Sequence, residues 1–271
     1  MLSKIDIEKQ IGKGINIVPF IWENIKENSI NFTISDKAWT LIPKSTGNGF
    51  DDAKQACKSG ILTLEPYSTT IVYTEEAIAL NNKLGGTFHA KVGIVSKGIV
   101  FSSTMIGPSY CGNLMITLQN PTDKKIQLHV GDTFISLVLH KLDKKIDKTL
   151  TNSNSGGHTG KLADLNISPT VEERRFLDED WKKNITSIRN RLKNEKDFKS
   201  LHSELNRRKR KYYSTLLILC LVLLVISYFV SKNYFFNEDA KTIIASIVST
   251  CIIESIAILT GVFKKILKID I

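Results

Sequence analysis

The amino-acid sequence predicts a mainly β domain, then a charged helical stalk and two transmembrane α-helices, within 271 residues. The first half contains many short runs of strand composition, separated by Gly, Pro, Asn or Asp, which is typical of a sandwich or barrel. The next part is highly charged and repeats apolar residues at helical spacing. Two apolar runs near the C-terminus then approach the length of a bilayer-spanning helix.

These patterns divide the chain into five parts. They are a β domain (1–148), a Gly/Ser-rich linker (149–168), an amphipathic helical stalk (169–212), a transmembrane helical hairpin (213–263) and a cytosolic basic tail (264–271). The β domain begins with a short predicted helix from Ser3 to Gly12. Its predicted strands are INIVPF, SINFTIS, AWTLIP, GILTL, STTIVYT, FHAKVGIV, GIVFSS, NLMITLQN, KIQLHV and TFISLVLHKL.

The charge of the chain indicates the kind of partner, and its cysteines indicate whether it holds a structural metal. The formal net charge is +10, with much of the basic charge between Arg174 and Lys211, which favours an acidic partner such as a nucleotide, a nucleic acid or anionic lipid. The four cysteines form no CxxC pair, so no structural zinc site is expected. The first residues lack the apolar core of a signal peptide, so we expect the β domain in the cytosol with reduced thiols.

The linker and the stalk are separated by a predicted helix start. Pro169 fits the beginning of a helix, and Thr170 with Glu173 forms a capping-box pattern. One apolar stripe then follows at spacings of three and four and continues after a phase slip: Leu177, Trp181, Ile185, Ile188, Leu192, Phe198, Leu201 and Leu205. A lone helix would leave this stripe in water, so we expect it to pack on a partner helix or on the β domain.

The two apolar runs predict a membrane hairpin. They cover Leu216–Val230 and Thr242–Phe263, and the basic block Arg207–Lys211 precedes the first. The positive-inside rule places both termini in the cytoplasm of a two-pass protein of the bacterial inner membrane. The alternative is a pair of buried helices in a soluble protein. Glu254 lies within the second run, either facing a pore or a helix contact, or protonated and hydrogen-bonded to a neighbouring helix. Both interpretations of Glu254 favour oligomerisation.

Residues 1–142 resemble the dUTPase / dCTP deaminase superfamily in the order and spacing of several weak motifs. The opening IDIEKQIGKGINIVPF is similar to the start of dCTP deaminases, and AKVGIVSKGI lies where the family has Arg-Ser-Ser/Gly-Leu-Ala. TMIGPSYCG lies where dUTPases have Gly-x-Ile-Asp-x-Asp-Tyr-Arg-Gly, and GDTFISLVL where they have Gly-Asp-Arg-Ile-Ala-Gln-Leu-Ile. The resemblance implies a dUTPase-like β-barrel or jelly-roll domain and a homotrimer with sites at subunit interfaces.

The sequence departs from the family where the resemblance would place catalytic groups. Gly107 stands at the dUTPase aspartate that activates water, and Thr117 at the deaminase glutamate, so the family's general base is missing. Val92 replaces the phosphate-contacting serine, Ser96 an arginine and Ser136 a glutamine. The resemblance therefore leaves the question of catalysis open and favours a domain that is not an enzyme.

The segment TMIGPSYCG, which the resemblance places in the family's pyrimidine-pocket hairpin, could still bind a nucleotide, because the family holds the pyrimidine through backbone groups. The candidate ligand-binding residues are Lys91, Val92, Ser96, Lys97, Thr104, Gly107, Tyr110, Ser136 and His158. Plainer alternatives are solvated strand lysines and a core position for Tyr110. The segment around His158 is similar to the glycine-rich C-terminal arm of dUTPases. No cofactor is expected, and Mg²⁺ only if a nucleoside triphosphate binds.

The combined hypothesis is a non-catalytic nucleotide-sensing domain coupled to a membrane-spanning effector that perturbs the membrane, by analogy with bacterial anti-phage defence. The expected partners are a nucleotide or nucleotide-like ligand, membrane lipid, further copies in a homotrimer, and a phage or host protein trigger. No nucleic acid is expected. One alternative is a membrane-anchored dUTP/dCTP hydrolase or deaminase. Another is a structural trimer whose domain binds only a protein.

Overall fold

A computed structural model describes residues 1–46, 49–146 and 158–232, together with Thr242, Ser246 and Thr250. It divides the chain into two compact units, Met1–His202 and Ser203–Ile271. The described helices are α1 (Lys4–Gln10), α2 (Val92–Val95), α3 (Lys161–Asp164), α4 (Val171–Asp178), α5 (Ile185–Leu192) and α6 (Lys196–Lys232), with 3₁₀ turns at Trp22–Asn24 and Asp180–Lys183. The described strands are β1 (Ile15–Val18), β2 (Ile30–Pro43), β3 (Phe50–Gln55), β4 (Cys57–Lys58), β5 (Ile61–Leu64), β6 (Ser68–Leu80), β7 (Leu84–Ala90), β8 (Val100–Phe101), β9 (Met105–Ile106), β10 (Cys111–Asn120), β11 (Ile126–His129) and β12 (Thr133–Lys141).

Most of the described strands belong to one curled antiparallel sheet. Its order is β8-β10-β6-β2-β12-β7-β9, with β1 also paired to β6 and β3 to β2. A second, three-stranded sheet has the order β11-β5-β4. The long strands β2, β6 and β12 carry fully buried side chains such as Phe32, Tyr73 and Phe134. The prediction of a mainly β domain is therefore confirmed.

The N-terminal helix α1 is fixed at its first turn and through its apolar face. The Ser3 hydroxyl accepts a hydrogen bond from the Asp6 backbone N–H, and the Asp6 carboxylate accepts from Ser3 in return, which completes a capping box. Ile7 is fully buried, whereas Ile5 remains exposed. The predicted short helix is thus present, and it buries one of its apolar positions against the domain core.

A buried carboxyl group lies where β2, β6 and β10 lose their regular pairing. Pairing of β2 with β6 shifts between Ile34 and Ala38, and pairing of β10 with β6 shifts between Asn113 and Met115. Glu76, only 2% exposed, accepts hydrogen bonds from the Thr33 backbone N–H at 3.0 Å and from its hydroxyl at 2.9 Å. Hydrogen bonds from Thr33 to the Glu76 carboxyl group therefore replace backbone pairing where the strand register shifts. Burial raises the pKa of Glu76 to about 7.

Residues 158–202, here called the helical layer, pack on the main sheet. Leu162, Ile167 and Leu177 are buried in one cluster with four sheet side chains, Trp39, Leu41, Ile71 and Tyr73. Further along the layer, Ile188 and Leu192 are fully buried. The sequence left either a partner helix or the β domain as the surface that covers the apolar stripe from Leu177. In the structure these residues pack on the β domain. Contact with the sheet removes these apolar side chains from water, and this burial stabilises the packing of the helical layer.

Polar contacts at both ends of the helical layer add to this packing. The Ala53 backbone N–H donates to the Asn166 carbonyl at 3.2 Å, and the Trp22 backbone N–H donates to the Asp197 carboxylate at 3.0 Å. The Arg189 guanidinium donates to the Lys13 carbonyl, just before β1, at 2.8 Å. The layer is therefore joined to the β domain along its length.

Several local predictions differ from the structure. Residues 158–168, assigned to a flexible linker, form a turn and α3 and bury Leu162 and Ile167, because two apolar residues in this polar segment find the sheet surface. The predicted strand FHAKVGIV ends at Ala90, and Val92–Val95 form the short helix α2 instead. Gly98, at φ +84°, follows this helix. SINFTIS and AWTLIP form one continuous strand, β2. The polar strand β3 was not predicted, because edge pairing to β2 requires no apolar alternation.

The helix α6 contains the first predicted membrane segment. Its described large apolar side chains from Leu217 to Phe229 are between 47% and 62% exposed. Among the described residues, no helix is both long enough and apolar enough to cross a membrane. Most of the second predicted segment, including Glu254, lies outside the described residues.

Replacing Glu76 with Gln is expected to remove a pH dependence of stability. The folded-state pKa of about 7 lies above the reference value of 4.5, so the folded chain retains a proton that the unfolded chain loses between these values. This contribution to stability is fully present below the unfolded pKa and is lost as pH rises through the folded pKa. For a rise of this size the change amounts to about 3 kcal/mol.

Urea unfolding of the wild type and Glu76→Gln across this pH window measures the effect. Glu172 is exposed on α4, so Glu172→Gln is a matched control with no comparable change. A difference in stability between wild type and Glu76→Gln that stays constant with pH would contradict the assignment.

Candidate functional site

A cavity of about 560 Å³ lies between the segment 101–117 and the helical layer. Its lining residues are Phe88, Phe101, Ser102, Thr104, Met105, Ile106, Gly107, Pro108, Ser109, Tyr110, Cys111, Leu114, Met115, Ile116, Thr117, His158, Lys161, Lys183 and Ile185. The wall from the β domain is therefore apolar or neutral and carries several hydroxyl groups. The wall from the helical layer carries the basic groups.

The segment TMIGPSYCG connects two parts of the main sheet at this cavity. Its strand β9 pairs with β7, whereas β10 pairs with β6 and β8, so the predicted hairpin is a connection between different strands of the sheet. Ser109 at φ +62° and Gly112 at φ +136° turn the backbone. The Ser109 backbone N–H donates to the Asn81 carbonyl at 3.2 Å, and the Leu80 N–H donates to the Tyr110 carbonyl at 3.0 Å. These bonds fix the connection against the end of β6.

Gly107 lies on this connection where space would admit a side chain. A Cβ atom built on Gly107 meets no other atom within 4 Å, and its φ lies outside the left-handed region. Neither packing nor backbone geometry therefore requires glycine here. The missing carboxylate at this position is a chemical difference, and it is not imposed by the fold.

Tyr110 combines a core position with one face near the cavity. The side chain is buried, and its hydroxyl donates to the Asn113 carbonyl. Burial raises the pKa of Tyr110 above its usual range. The ring centroid lies 6.1 Å from that of His158. The hydroxyl is thus used within the protein, and the ring is the part of Tyr110 that a ligand can contact.

Cys111 joins the sheet wall directly to the helical layer. Its thiol donates to the Lys182 carbonyl at 3.1 Å, and burial raises the pKa of Cys111 to about 12. Cys111 is therefore a protonated structural thiol at neutral pH, since the thiolate is the reactive form. The next residue after Lys182 lines the cavity, so this bond fixes the layer close to the site.

Lys182 has an unusual environment for a lysine, because it is only 3% exposed. Its ammonium lies 3.4 Å from the centroid of the Phe176 ring, donates to the Phe176 carbonyl and pairs with Glu179 at 3.3 Å. Burial lowers the pKa of Lys182, an effect that the Glu179 carboxylate opposes. These three contacts compensate the buried charge and hold the 3₁₀ turn Asp180–Lys183 in place.

The cavity has an uneven charge distribution. None of its described lining residues is an aspartate or a glutamate, whereas Lys161 and Lys183 contribute exposed ammonium groups. Burial lowers the pKa of His158, and the nearby Lys161 lowers it further, so His158 is neutral at neutral pH. The site therefore offers two cations and a neutral imidazole, and it suits an anionic ligand.

The structure separates the predicted site residues into two groups. Thr104, Gly107, Tyr110 and His158 line the cavity. The predicted residues that do not line it are Lys91, Val92, Ser96, Lys97 and Ser136.

The second group lies around α2 and β12. Lys91 donates to the Thr133 hydroxyl, and the Ser136 hydroxyl donates to the Asn31 side chain at 2.8 Å. Val92 is 84% exposed. Burial lowers the pKa of Lys91. Within one chain, these residues are not part of the cavity.

Sequence reasoning missed the lysines of the helical layer. Lys161 was assigned to a linker and Lys183 to the polar face of a stalk. Lys161 ends the segment SNSGGHTGK that is similar to the dUTPase C-terminal arm, but His158 was the residue of that segment chosen as a candidate. Lys183 belongs to no recognisable motif, and no signal in the sequence distinguishes it from the other lysines of the stalk. The packing of the layer on the sheet brings both lysines to the cavity.

The described part of the chain contains no group of three or more His, Cys, Asp or Glu side chains that could hold a metal ion. Mg²⁺ accompanying a bound triphosphate stays a prediction. The cavity itself offers hydroxyl, imidazole and ammonium groups, which are poor ligands for that ion compared with carboxylates.

Comparisons with known proteins find similarity to dCTP deaminases and to a deoxyuridine triphosphate nucleotidohydrolase. Residues 1–142 match the family model described as dCTP deaminase-like. The dCTP deaminase of Thermococcus kodakarensis is 25% identical over 135 residues, which cover 49% of this chain and 81% of that protein. The deoxyuridine 5'-triphosphate nucleotidohydrolase of Wigglesworthia glossinidia brevipalpis is 26% identical over 151 residues, 50% of this chain and 99% of that protein.

A solved structure is also similar, although more distantly. The 2'-deoxycytidine 5'-triphosphate deaminase of Agrobacterium tumefaciens superposes with a TM-score of 0.42 at 15% identity, over 52% of this chain and 48% of that chain. The helical layer begins after the residues that the family model matches.

Proposed function

Because this chain belongs to the dCTP deaminase-like family, we propose that its β domain binds a pyrimidine nucleotide in the cavity without converting it. The observation that carries this proposal is that no aspartate or glutamate is found among the described residues that line the cavity. Deamination and hydrolysis of such nucleotides need a group that activates water, and a general base must lie within hydrogen-bond reach of it. Gly107 and Thr117 line the cavity but provide no such base.

The same cavity retains features that bind a nucleotide. The Tyr110 ring and half-buried apolar side chains such as Phe101 and Met115 line the cavity and offer a surface for a flat base. The lysines of the helical layer complement negative charge, and none of the described lining residues carries a carboxylate that would repel it. Binding without conversion is the activity expected of a sensor.

The contact between Cys111 and the 3₁₀ turn provides a route from the cavity to the rest of the chain. A ligand beside Tyr110 and Cys111 lies next to the Lys182 carbonyl that the Cys111 thiol contacts. The ligand can shift a conformational equilibrium only if it binds one arrangement of this turn better than another. We propose that the helical layer is the element that responds.

The C-terminal part then acts at the membrane in this proposal. The apolar side chains of α6 from Leu217 to Phe229 are exposed in water on the isolated chain, and a basic run, Arg207–Lys211, precedes them. A lipid environment would remove the cost of this exposure, and anionic lipid would attract the basic run. We propose that nucleotide binding controls a membrane-perturbing hairpin, as part of bacterial anti-phage defence.

A homotrimer would bring the two groups of predicted residues together. Lys91 and Ser136 are away from the cavity of their own chain, and a neighbouring copy is the remaining way for them to reach a nucleotide site. Exposed apolar residues of the same region, Val92 and Val95, would be covered by that neighbour. We propose this assembly, with a protein trigger from phage or host as a further possible partner.

Calorimetry with dCTP and dUTP tests the nucleotide-binding proposal on the purified full-length chain. We expect saturable binding of both ligands. In the presence of Mg²⁺, neither dUTP nor dUMP should form from dCTP, and neither dUMP nor diphosphate from dUTP. Gly107→Phe should abolish binding, because the new side chain fills the cavity from a position where its Cβ meets nothing. Val171→Phe is the matched control, since Val171 is exposed on α4 and does not line the cavity.

Turnover of either nucleotide that Gly107→Phe abolishes would show a hydrolase or deaminase and contradict a non-catalytic sensor. Absence of binding to both nucleotides would contradict the nucleotide-binding proposal itself and leave a structural trimer as the better interpretation.

Membrane association is tested by alkaline carbonate extraction of cells that produce the full-length chain. We expect the protein to remain in the membrane pellet, because apolar residues that span a bilayer are not released by high pH. A chain that ends at residue 211 should be released into the supernatant. Release of the full-length chain under the same conditions would contradict the membrane proposal.

A further inference from the structure

The cations at the cavity come from the part of the chain that follows the family match. Lys161 lies at the first turn of α3, and Lys183 ends the 3₁₀ turn that leads into α5. Both side chains are exposed and line the cavity opposite the neutral segment 101–117. The two faces of the cavity therefore have different chemistry, one suited to a base and the other to an anion.

Lys161 keeps its charge available for a ligand. No described residue forms an ion pair with its ammonium. Burial lowers the pKa of the nearby His158 imidazole, and the positive charge of Lys161 lowers it further. An anion bound between them would be attracted by the ammonium and could accept a hydrogen bond from the neutral imidazole.

Lys183 is oriented by a carboxylate outside the cavity lining. The Asp178 carboxylate lies 3.3 Å from the Lys183 ammonium, and the same oxygen accepts a hydrogen bond from the Thr159 hydroxyl at 3.0 Å. Thr159 follows His158 directly, so Asp178 joins the turn that carries His158 and Lys161 to the turn that carries Lys183. Asp178 is thus a positioning residue for the basic wall.

We propose that Lys161 and Lys183 bind the phosphate groups of the nucleotide while its base lies against Tyr110 and the segment 101–117. This assignment rests on the nucleotide binding proposed above. It gives the helical layer a direct part in recognition, because the ligand then touches the β domain with its base and the layer with its phosphates. A nucleoside without phosphates would contact only the β-domain wall.

Calorimetric titrations of the full-length wild type, Lys161→Gln, Lys183→Gln and the double variant test the assignment. The probes are dCTP, dUTP, the matching nucleosides and inorganic tripolyphosphate. Each single substitution should weaken nucleotide binding about tenfold and the double variant roughly a hundredfold, since the weakest hydrogen bonds to charged groups contribute at about this level. Nucleoside binding should change less than about twofold, because the nucleoside reaches neither lysine.

Matched variants separate charge from folding. Lys193 is an exposed lysine of the same layer outside the cavity lining, so Lys193→Gln should leave all affinities unchanged. Lys161→Arg and Lys183→Arg should retain most of the affinity, because the positive charge remains. Binding of the wild type to nucleotides should also weaken as salt increases, more than binding to nucleosides does.

Each outcome decides between the two proposals. Nucleotide binding that the double variant retains at full strength, or equal wild-type affinity for nucleosides and nucleotides, overturns the role of the lysines and leaves nucleotide binding intact. Lysine-dependent binding of tripolyphosphate without any binding of dCTP or dUTP supports the basic wall and overturns the choice of nucleotide. Absence of binding to every probe overturns both.

Discussion

The packing of the helical layer on the sheet is the interaction on which the proposed site depends. Leu162, Ile167 and Leu177 are buried against Trp39 and Tyr73 together with neighbouring side chains of β2 and β6. Burial of side chains of this size contributes about 1.5–3 kcal/mol each, which is enough to hold a short, highly charged segment on a β domain. Without this contact the cavity would lose one wall and both of its lysines. The fold of the β domain alone therefore does not define the site.

The chemistry of the cavity follows from how its two walls are built. The β-domain wall keeps the shape of the connection around Tyr110, which hydrogen bonds to β6 maintain without any acidic side chain. Gly107 has space for a side chain, so the absence of a carboxylate is independent of packing. The basic wall comes from a different part of the chain and is ordered by Asp178. Recognition of an anion and loss of the general base can therefore occur together.

The sequence was sufficient for the mainly β class and for the capping box at Thr170, because strand composition and capping depend on local physical chemistry. The apolar stripe from Leu177 indicated that a face is buried, but amphipathic spacing does not identify the surface that covers it. The segment 92–95 resembled a strand because Val92, Ile94 and Val95 are β-branched, whereas Gly93 and Gly98 permit a turn. Lys161 and Lys183 could not be predicted, since contacts between distant segments place them at the cavity.

Hydrogen–deuterium exchange of the full-length chain, with and without dCTP, tests most directly whether one ligand is held by both walls. Backbone amides of residues 104–117 should exchange more slowly with dCTP, and amides of residues 158–164 and 180–185 should slow at the same ligand concentration. Exchange reports local opening, so a ligand that joins the two walls must raise the free energy of separating them. Slower exchange confined to residues 104–117, with no change in the helical layer, would contradict binding of the nucleotide by both walls of the cavity.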